Sequence, residues 1–513
     1  MSSIQPKRKY PVGIQDLSEV ITGGYVYVDK THYAYKLIDE GKFYFLSRPR
    51  RFGKSLFLSV LYYLFKGQKE IFEGLYIYDK WDWSKTNPII RIGFSSIGHS
   101  TMGLEKAIHK ALDENAQQYD ITLQSDYYDQ KFRELIQKLD AKQGKVVVLI
   151  DEYDKPIIDY IEKDTAKALE NRDILKSFYS ILKDADPHLK LVFITGVSKF
   201  SRVSIFSDLN NLNDITLDEN YSAICGITQE ELEANFPQEL EAYGADKIKQ
   251  WYNGYHWKNG ESVYNPFSLV NFFIKNGDFK NYWFASGTPT FLMNLAKKEQ
   301  RYDFESIIIT PTQLDAYDIE RLQLTPLMFQ TGYLTIKSID EYGDYHLGYP
   351  NEEVRKSYIG FLANAYADSY SQSVQTLATQ MHRALRELNF DKVQSIFNTI
   401  FKSIPYEIWQ RENEHYYHAL IHLTFRLLDI YVQSQVQTAD GRADAIVILE
   451  KYIFAFEFKL GGSAQQALQQ VKDKGYLVPY FHQGKQCIGI GLNFSKEDKK
   501  VEQLLWEVIG NEQ

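Results

Sequence analysis

Between positions 43 and 65 an apolar run, FYFL, passes through SRPRRFGKS into a second apolar segment, LFLSVLYYLF. That order constrains the fold more than any other stretch of the chain. A strand that enters a helix through a glycine-bearing basic loop aims backbone N–H groups and a helix N-terminus at one point. The result is a cradle of partial positive charge that suits phosphate. Gly53 lets the backbone approach a phosphate closely, Lys54 would reach the β- and γ-phosphates, and the Ser55 hydroxyl would ligate Mg²⁺. The spacing GxxxxGK[ST] puts its first glycine at Arg48, so the loop departs from the pattern at one position. A chance GKS in a basic loop is the plainer alternative for this stretch taken alone.

A second stretch weighs against chance. KVVVLIDEYDKP is a five-residue apolar run followed by Asp151 and Glu152. An acid at the C-terminal end of a buried parallel strand sits where open α/β sheets bind ligands. There Asp151 would hold Mg²⁺ through Ser55 or water, and Glu152 would orient and deprotonate an attacking water. A third run, LVFITGVSKFS, ends in Thr195 and Ser198, polar residues placed to sense a terminal phosphate. Lys199 and Arg202 follow as sources of positive charge. For Thr195 and Ser198 ordinary turn chemistry is an equal alternative.

The runs Phe43 to Leu46, Ile89 to Phe94, Val146 to Ile150 and Leu191 to Thr195 alternate with longer amphipathic segments. Leu104 to Gln118 and Tyr127 to Leu139 read as helices. Near-continuous apolar strands indicate a parallel sheet covered on both faces, hence α/β architecture. From about 215 to 300 short helices rich in Asn, Gly and aromatics follow. ITQEELEANF opens with a Thr cap ahead of a Glu, and IKQWYNGYHW is another. LTPLMFQTGYLTIK suggests a helix turning into a strand, and amphipathic helices fill about 366 to 405. With 513 residues the chain exceeds one core. Three parts are expected: 1–215, 216–405 as a helical and winged-helix-like middle region, and 406–513.

That last part reads helix, strand, strand, helix, strand. In RADAIVILEKYIFAFEFKLGG, Glu457 and Lys459 stand two apart on one strand and share a face, while Phe456 and Phe458 take the other. Asp444 opens the preceding strand, which a hairpin would bring towards Glu457. Carboxylates and a lysine converging on a sheet face are costly to bury unless they serve a metal. Asp444 and Glu457 would bind Mg²⁺, and Lys459 would position or activate water. A cross-strand salt bridge on a solvated face is the alternative. The next helix opens at Ser463, carries a stripe of Ala464, Ala467, Leu468 and Val471, and sets Gln470 beside it. Upstream, Glu414 shares a helical face with Tyr417, His418 and Ile421.

Composition removes several classes. The net charge of −9 argues against a surface basic all over, though 58 Lys and Arg leave room for a local channel. The 38 Tyr and 31 Phe are mostly expected in the core rather than stacked on bases. Cys225 and Cys487 stand far apart, outside any disulfide or zinc spacing, which fits a reducing cytoplasm. The basic N-terminus lacks an apolar stretch behind it, and no run is membrane-length. No membrane partner is therefore expected.

The N-terminal motifs resemble those of the AAA-ATPase-like family: Val28-Asp29-Lys30-Thr31, Arg48 to Ser55, Asp151 to Pro156, and Thr195 to Ser201. The resemblance continues through FSDLNNLNDIT, WYNGYHW, YNPFSL and LTPLMFQTGYLTI. An arginine in place of the first glycine is normal for that family. The resemblance implies a nucleotide-binding loop of Arg48, Pro49, Arg50, Arg51, Phe52, Gly53, Lys54 and Ser55, with ATP and Mg²⁺ as cofactors. The C-terminal segment resembles the PD-(D/E)XK nuclease superfamily, with catalytic positions Glu414, Asp444, Glu457, Lys459 and Gln470; Ala443 stands where that motif has proline. Together they imply a P-loop ATPase joined to a Mg²⁺-dependent nuclease acting on nucleic acid, DNA foremost. The alternatives are a nucleotide-controlled switch whose nuclease-like domain binds without cutting, and an ATPase alone.

Overall fold

The computed structural model describes residues 8–199, 205–206, 209–284, 290–315, 322–367, 374–402, 422–427, 436–437, 445–460, 462–495 and 500–510. The chain divides into two compact units, Met1–Gly287 with Phe304–Val354 and Thr288–Asp303 with Arg355–Gln513.

In the first unit the apolar runs become strands β1 (Phe43–Ser47), β2 (Ile89–Gly93), β3 (Val146–Asp151) and β4 (Leu189–Gly196). With β5 (Asn213–Asp214) they form a sheet ordered β2-β3-β4-β1-β5, every pairing parallel. β1 and the first five residues of β3 are buried along their whole length, as strands covered on both faces must be. The helices Leu104–Gln117 and Tyr128–Gln143 fall where amphipathic periodicity put them. Because β4 lies between β1 and β3, its C-terminal tip stands between the loop after β1 and the acids after β3.

Short helices follow. Gln229–Asn235 is capped by Thr228, whose side chain takes the Glu231 amide while the Glu231 carboxylate takes the Thr228 amide. The helix Leu324–Thr331 then turns into an antiparallel sheet, β6 (Ile307–Ile309), β8 (Tyr345–Gly348) and β7 (Thr335–Ile339), ordered β6-β8-β7. All but the last residue of that helix are buried. Seven tyrosines are among the largest fully buried side chains of the described residues, as core filler should be.

The second unit carries a mixed sheet ordered β13-β12-β11-β10-β9. Its strands are β9 (Val436–Gln437), β10 (Ala445–Ile448), β11 (Tyr452–Leu460), β12 (Gln486–Ser495) and β13 (Lys500–Val508). β10 and β11 form the expected antiparallel hairpin, β12 runs parallel to β11, and β13 returns antiparallel. The helix Ala464–Asp473 buries Ala464, Ala467, Leu468 and Val471, the stripe read from the sequence. It lies close on β12, where a Cβ on Gly491 would meet the Ala464 carbonyl at 2.3 Å. Among the described residues no helix is long and apolar enough to cross a membrane.

Candidate functional site

The loop after β1 opens the helix Lys54–Phe65 through Gly53, which has φ 97° and ψ 15°, a left-handed conformation that favours glycine. No side chain caps this helix, and a Cβ on Gly53 would meet nothing within 4 Å. The helix N-terminus and its glycine therefore leave space for a phosphate. The Lys54 ammonium is buried and donates to the Arg48 carbonyl at 2.8 Å and the Pro49 carbonyl at 2.9 Å. Burial lowers its pKa, opposed chiefly by the negative charge of Asp151.

Asp151 is the centre of the site. Ser55 Oγ donates to Asp151 Oδ2 at 2.6 Å and Thr195 Oγ1 donates to Asp151 Oδ1 at 2.7 Å. Three sequence-distant residues thus meet at one carboxylate, Asp151 and Thr195 from the ends of β3 and β4 and Ser55 from the first turn of the helix after β1. Glu152, next along, adopts φ 52°, a strained conformation for a non-glycine residue. Among the described residues its carboxylate has no hydrogen-bond partner, so its acceptors are open to water.

Two of the side chains named from the sequence turn away from the cradle. The Arg48 side chain does not face the phosphate cradle. It is 1% exposed, donates to the carbonyls of Ser47, Thr216 and Tyr221 at 2.9, 2.8 and 3.1 Å, and lies 4.0 Å over the Trp257 ring. Burial lowers its pKa to about 10, so it stays charged at neutral pH. The Ser198 hydroxyl likewise points elsewhere, donating to Asp154 Oδ2 at 2.7 Å. Lys199 pairs with Asp214 at 3.1 Å, and Arg202 lies outside the described residues.

The rest of the loop is tied to the short-helix region. The Trp283 indole donates to the Arg50 carbonyl at 3.2 Å and the Gly226 amide to the Phe52 carbonyl at 3.1 Å. Arg51 lies 3.8 Å over the Phe267 ring, and Phe52 packs edge-on against Tyr255. Beside Gly53 a cleft of about 100 Å³ is lined by Val26, Val28, Leu56, Ile227, Phe236 and other apolar groups, with Lys30 and Cys225 at its wall. Residue patterns alone did not reveal this cleft, because it is assembled from segments two hundred residues apart.

In the second unit Glu457 is 4% exposed on β11 and Lys459 lies two residues on. Gln470 joins them. Its Nε2 donates to Glu457 Oε1, and its Oε1 accepts from Lys459 Nζ. Lys459 Nζ is 3.4 Å from Glu457 Oε1. Tyr476, which the sequence did not single out, places its hydroxyl 3.3 Å from Gln470 Nε2. The donor set is an oxygen ligand beside a compensating ammonium, which suits a hard divalent cation. Glu414 and Asp444 lie outside the described residues, and β10 begins one residue after Asp444. Among the described residues no three His, Cys, Asp or Glu side chains gather as a metal cluster.

Two family models match the parts of the chain that carry these residues. The model of a predicted AAA-ATPase, AAA-ATPase-like, matches residues 11–206, and that of a PD-(D/E)XK nuclease superfamily domain matches residues 412–504. A protein of Azotobacter chroococcum mcd 1, described as an uncharacterized protein in the vnfD 5′ region, is 41% identical over 98% of this chain and the whole of its own length. The chain belongs to the AAA-ATPase-like family. No solved structure matches it. The first unit of this AAA-ATPase-like protein is an α/β P-loop unit, and the mixed sheet of the second is of the PD-(D/E)XK superfamily.

Proposed function

We propose that this AAA-ATPase-like protein hydrolyses ATP and uses nucleotide state to license metal-dependent cleavage of nucleic acid, DNA foremost. The observation that carries the first half is Asp151, whose carboxylate receives the Ser55 and Thr195 hydroxyls. Ser55 and Asp151 are the ligands a Mg²⁺ ion would take there, and bound Mg²⁺ neutralises charge between the phosphates. Lys54 and the helix N-terminus bind phosphate oxygens, and Glu152 orients the attacking water and accepts its proton. The apolar lining of the cleft beside Gly53 is of the character that takes a purine base.

The second half rests on the Glu457, Lys459 and Gln470 contacts. Glu457, with Asp444, would hold Mg²⁺, which polarises the scissile phosphate when bound. Glu414, which the sequence pattern assigns to an upstream helix face, would complete the site. Lys459 holds a water proton or balances charge, and Gln470 fixes both side chains.

The test is a paired assay of nucleotide hydrolysis and nucleic-acid cleavage on wild type, Lys54→Ala and Lys459→Ala. Lys54→Ala should lose hydrolysis and nucleotide-dependent cleavage. Lys459→Ala should lose cleavage and keep hydrolysis. Plasmid and single-stranded substrates left uncut across several metals with ATP present would end the nuclease half. The net charge of −9 favours a second reading, in which the domain binds nucleic acid or protein without cutting. A Glu457→Ala protein that folds and binds but loses its biological effect excludes that reading.

A further inference from the structure

The segment that follows Asp151 and Glu152 has no role in the reading above, yet its side chains are more deeply buried than either. Tyr153 is 0% and Asp154 1% exposed. Asp154 directly precedes the short helix Lys155–Ile158 but does not cap it with its side chain. Its carboxylate turns to the tip of β4. Oδ2 accepts from the Ser198 amide at 2.7 Å, the Ser198 hydroxyl at 2.7 Å and the Val197 amide at 3.1 Å. The Tyr153 hydroxyl donates to the Ser198 carbonyl at 2.9 Å, and the Tyr153 amide to the Thr195 carbonyl at 3.0 Å.

From the other side the phosphate loop holds the same tip. The Arg48 amide donates to the Gly196 carbonyl at 3.2 Å and the Ser47 hydroxyl to the Val197 carbonyl at 2.6 Å. Packing leaves no slack: a Cβ on Gly196 would meet the Tyr153 ring at 2.4 Å and Asp154 Oδ1 at 2.9 Å. The residue held by this frame is Thr195, whose hydroxyl bonds Asp151.

A buried carboxylate is a costly way to satisfy two amides and a hydroxyl, because desolvation of the charge opposes it. An asparagine would present its own N–H groups to some of those donors, whereas a carboxylate presents acceptors only. The Asp154 charge also acts on Lys54 and is acted on by it. Burial raises the Asp154 pKa, opposed first by its hydrogen bonds from Ser198. The fold thus keeps a buried carboxylate that accepts from three donors at the β4 tip, one strand from the ligands of the metal and phosphates.

We infer that Asp154 is a positioning residue for nucleotide hydrolysis. It fixes the β4 tip so that the Thr195 hydroxyl stays aligned between Asp151 and the terminal phosphate. This rests on the ATPase reading of the site. Asp154 touches neither nucleotide nor metal in this assignment, so its loss lowers the rate of the chemical step and spares nucleotide affinity.

The experiment measures kcat and KM for ATP, the Kd of a fluorescent ATP analogue and the thermal midpoint. It compares the full chain with Asp154→Asn, Thr195→Ala, the double variant and Ser198→Ala. Asp154→Asn should lower kcat roughly 10- to 100-fold, the scale of a sub-ångström to ångström misplacement, with Kd within about threefold of wild type. The double variant should lose no more kcat than Thr195→Ala alone, because both changes act through one hydroxyl. Ser198→Ala, which keeps both amide bonds, should stay within about threefold of wild type. Additive losses in the double variant, an unchanged kcat in Asp154→Asn, or a Kd that collapses with the thermal midpoint each overturn the assignment. A wild-type protein that turns over no nucleotide overturns the ATPase reading and this inference together. Wild-type turnover with an unchanged kcat in Asp154→Asn overturns the inference alone.

Discussion

Arg48 stands where the phosphate-loop pattern has glycine, and its side chain is a structural bolt. Restoring the pattern should therefore do harm. Arg48→Gly leaves three carbonyls without their donor and strips a cation from the Trp257 face. We expect a stability loss of about 3 kcal/mol or more and no gain in nucleotide affinity, read by denaturant unfolding and by titration with an ATP analogue. Wild-type stability in that variant would contradict the bolt. Cys225, at the wall of the cleft beside Gly53, offers a second test at this scale. In a Cys487→Ser background, alkylation of Cys225 should slow at least tenfold in the presence of ATP. Equal rates with and without nucleotide would mean that the cleft does not take the base.

Glu353 is wholly buried and accepts the amides of Tyr282 and Trp283 at 2.7 and 2.9 Å. Desolvation raises its pKa from 4.5 to about 7, against the pull of those two amides. The folded state therefore holds a proton that the unfolded chain releases between pH 4.5 and 7. Stability from this group is full below pH 4.5, falls as pH rises through that window and is flat above it, a change of about 3 kcal/mol. Glu353→Gln keeps an acceptor for both amides and removes the charge, so its stability at pH 8 should exceed wild type and lose this pH slope. A slope that persists in the variant would assign it to other groups.

At the scale of elements, what the sequence made legible was whatever its own neighbours dictate. β1 to β4 are apolar runs because parallel strands are covered on both faces, and the Thr228 and Ser463 caps announce their helices. What stayed hidden depends on distant partners. β5 is two polar residues, Asn213 and Asp214, made a strand only by pairing with β1. KVEQLLWEV carries no clean alternation, yet it forms β13 because β12 offers an edge to pair with. The site divides the same way. Lys54, Ser55, Asp151 and Thr195 could be read from motif and strand end, and Glu457 and Lys459 from period two. The buried aim of Arg48 and the hold of Asp154 on Ser198 exist only once strands lie side by side. The docking of the helix Ala464–Asp473 on Gly491 is an element-scale prediction of the same kind. Gly491→Val should push that helix off β12 and part Gln470 from Glu457. Nucleic-acid cleavage should then fall at least tenfold while ATP turnover is kept, and cleavage at the wild-type rate would show that the helix does not set the site.

For the whole molecule, each unit carries its own core and its own candidate site. Thermal unfolding should therefore show two transitions. ATP at about 100 times its Kd should raise only the transition of the P-loop unit, by a free energy of about 2.7 kcal/mol, and Lys54→Ala should abolish the shift. A single transition that moves as one with nucleotide would contradict independent cores. The indole of Trp283, tied to the carbonyl of Arg50, adds a practical corollary. Any rearrangement of the main chain around a bound triphosphate must stretch or release that bond and alter the polarity felt by the chromophore. The protein thus contains its own optical gauge of occupancy, and ultraviolet emission can follow loading and turnover in real time without an attached dye.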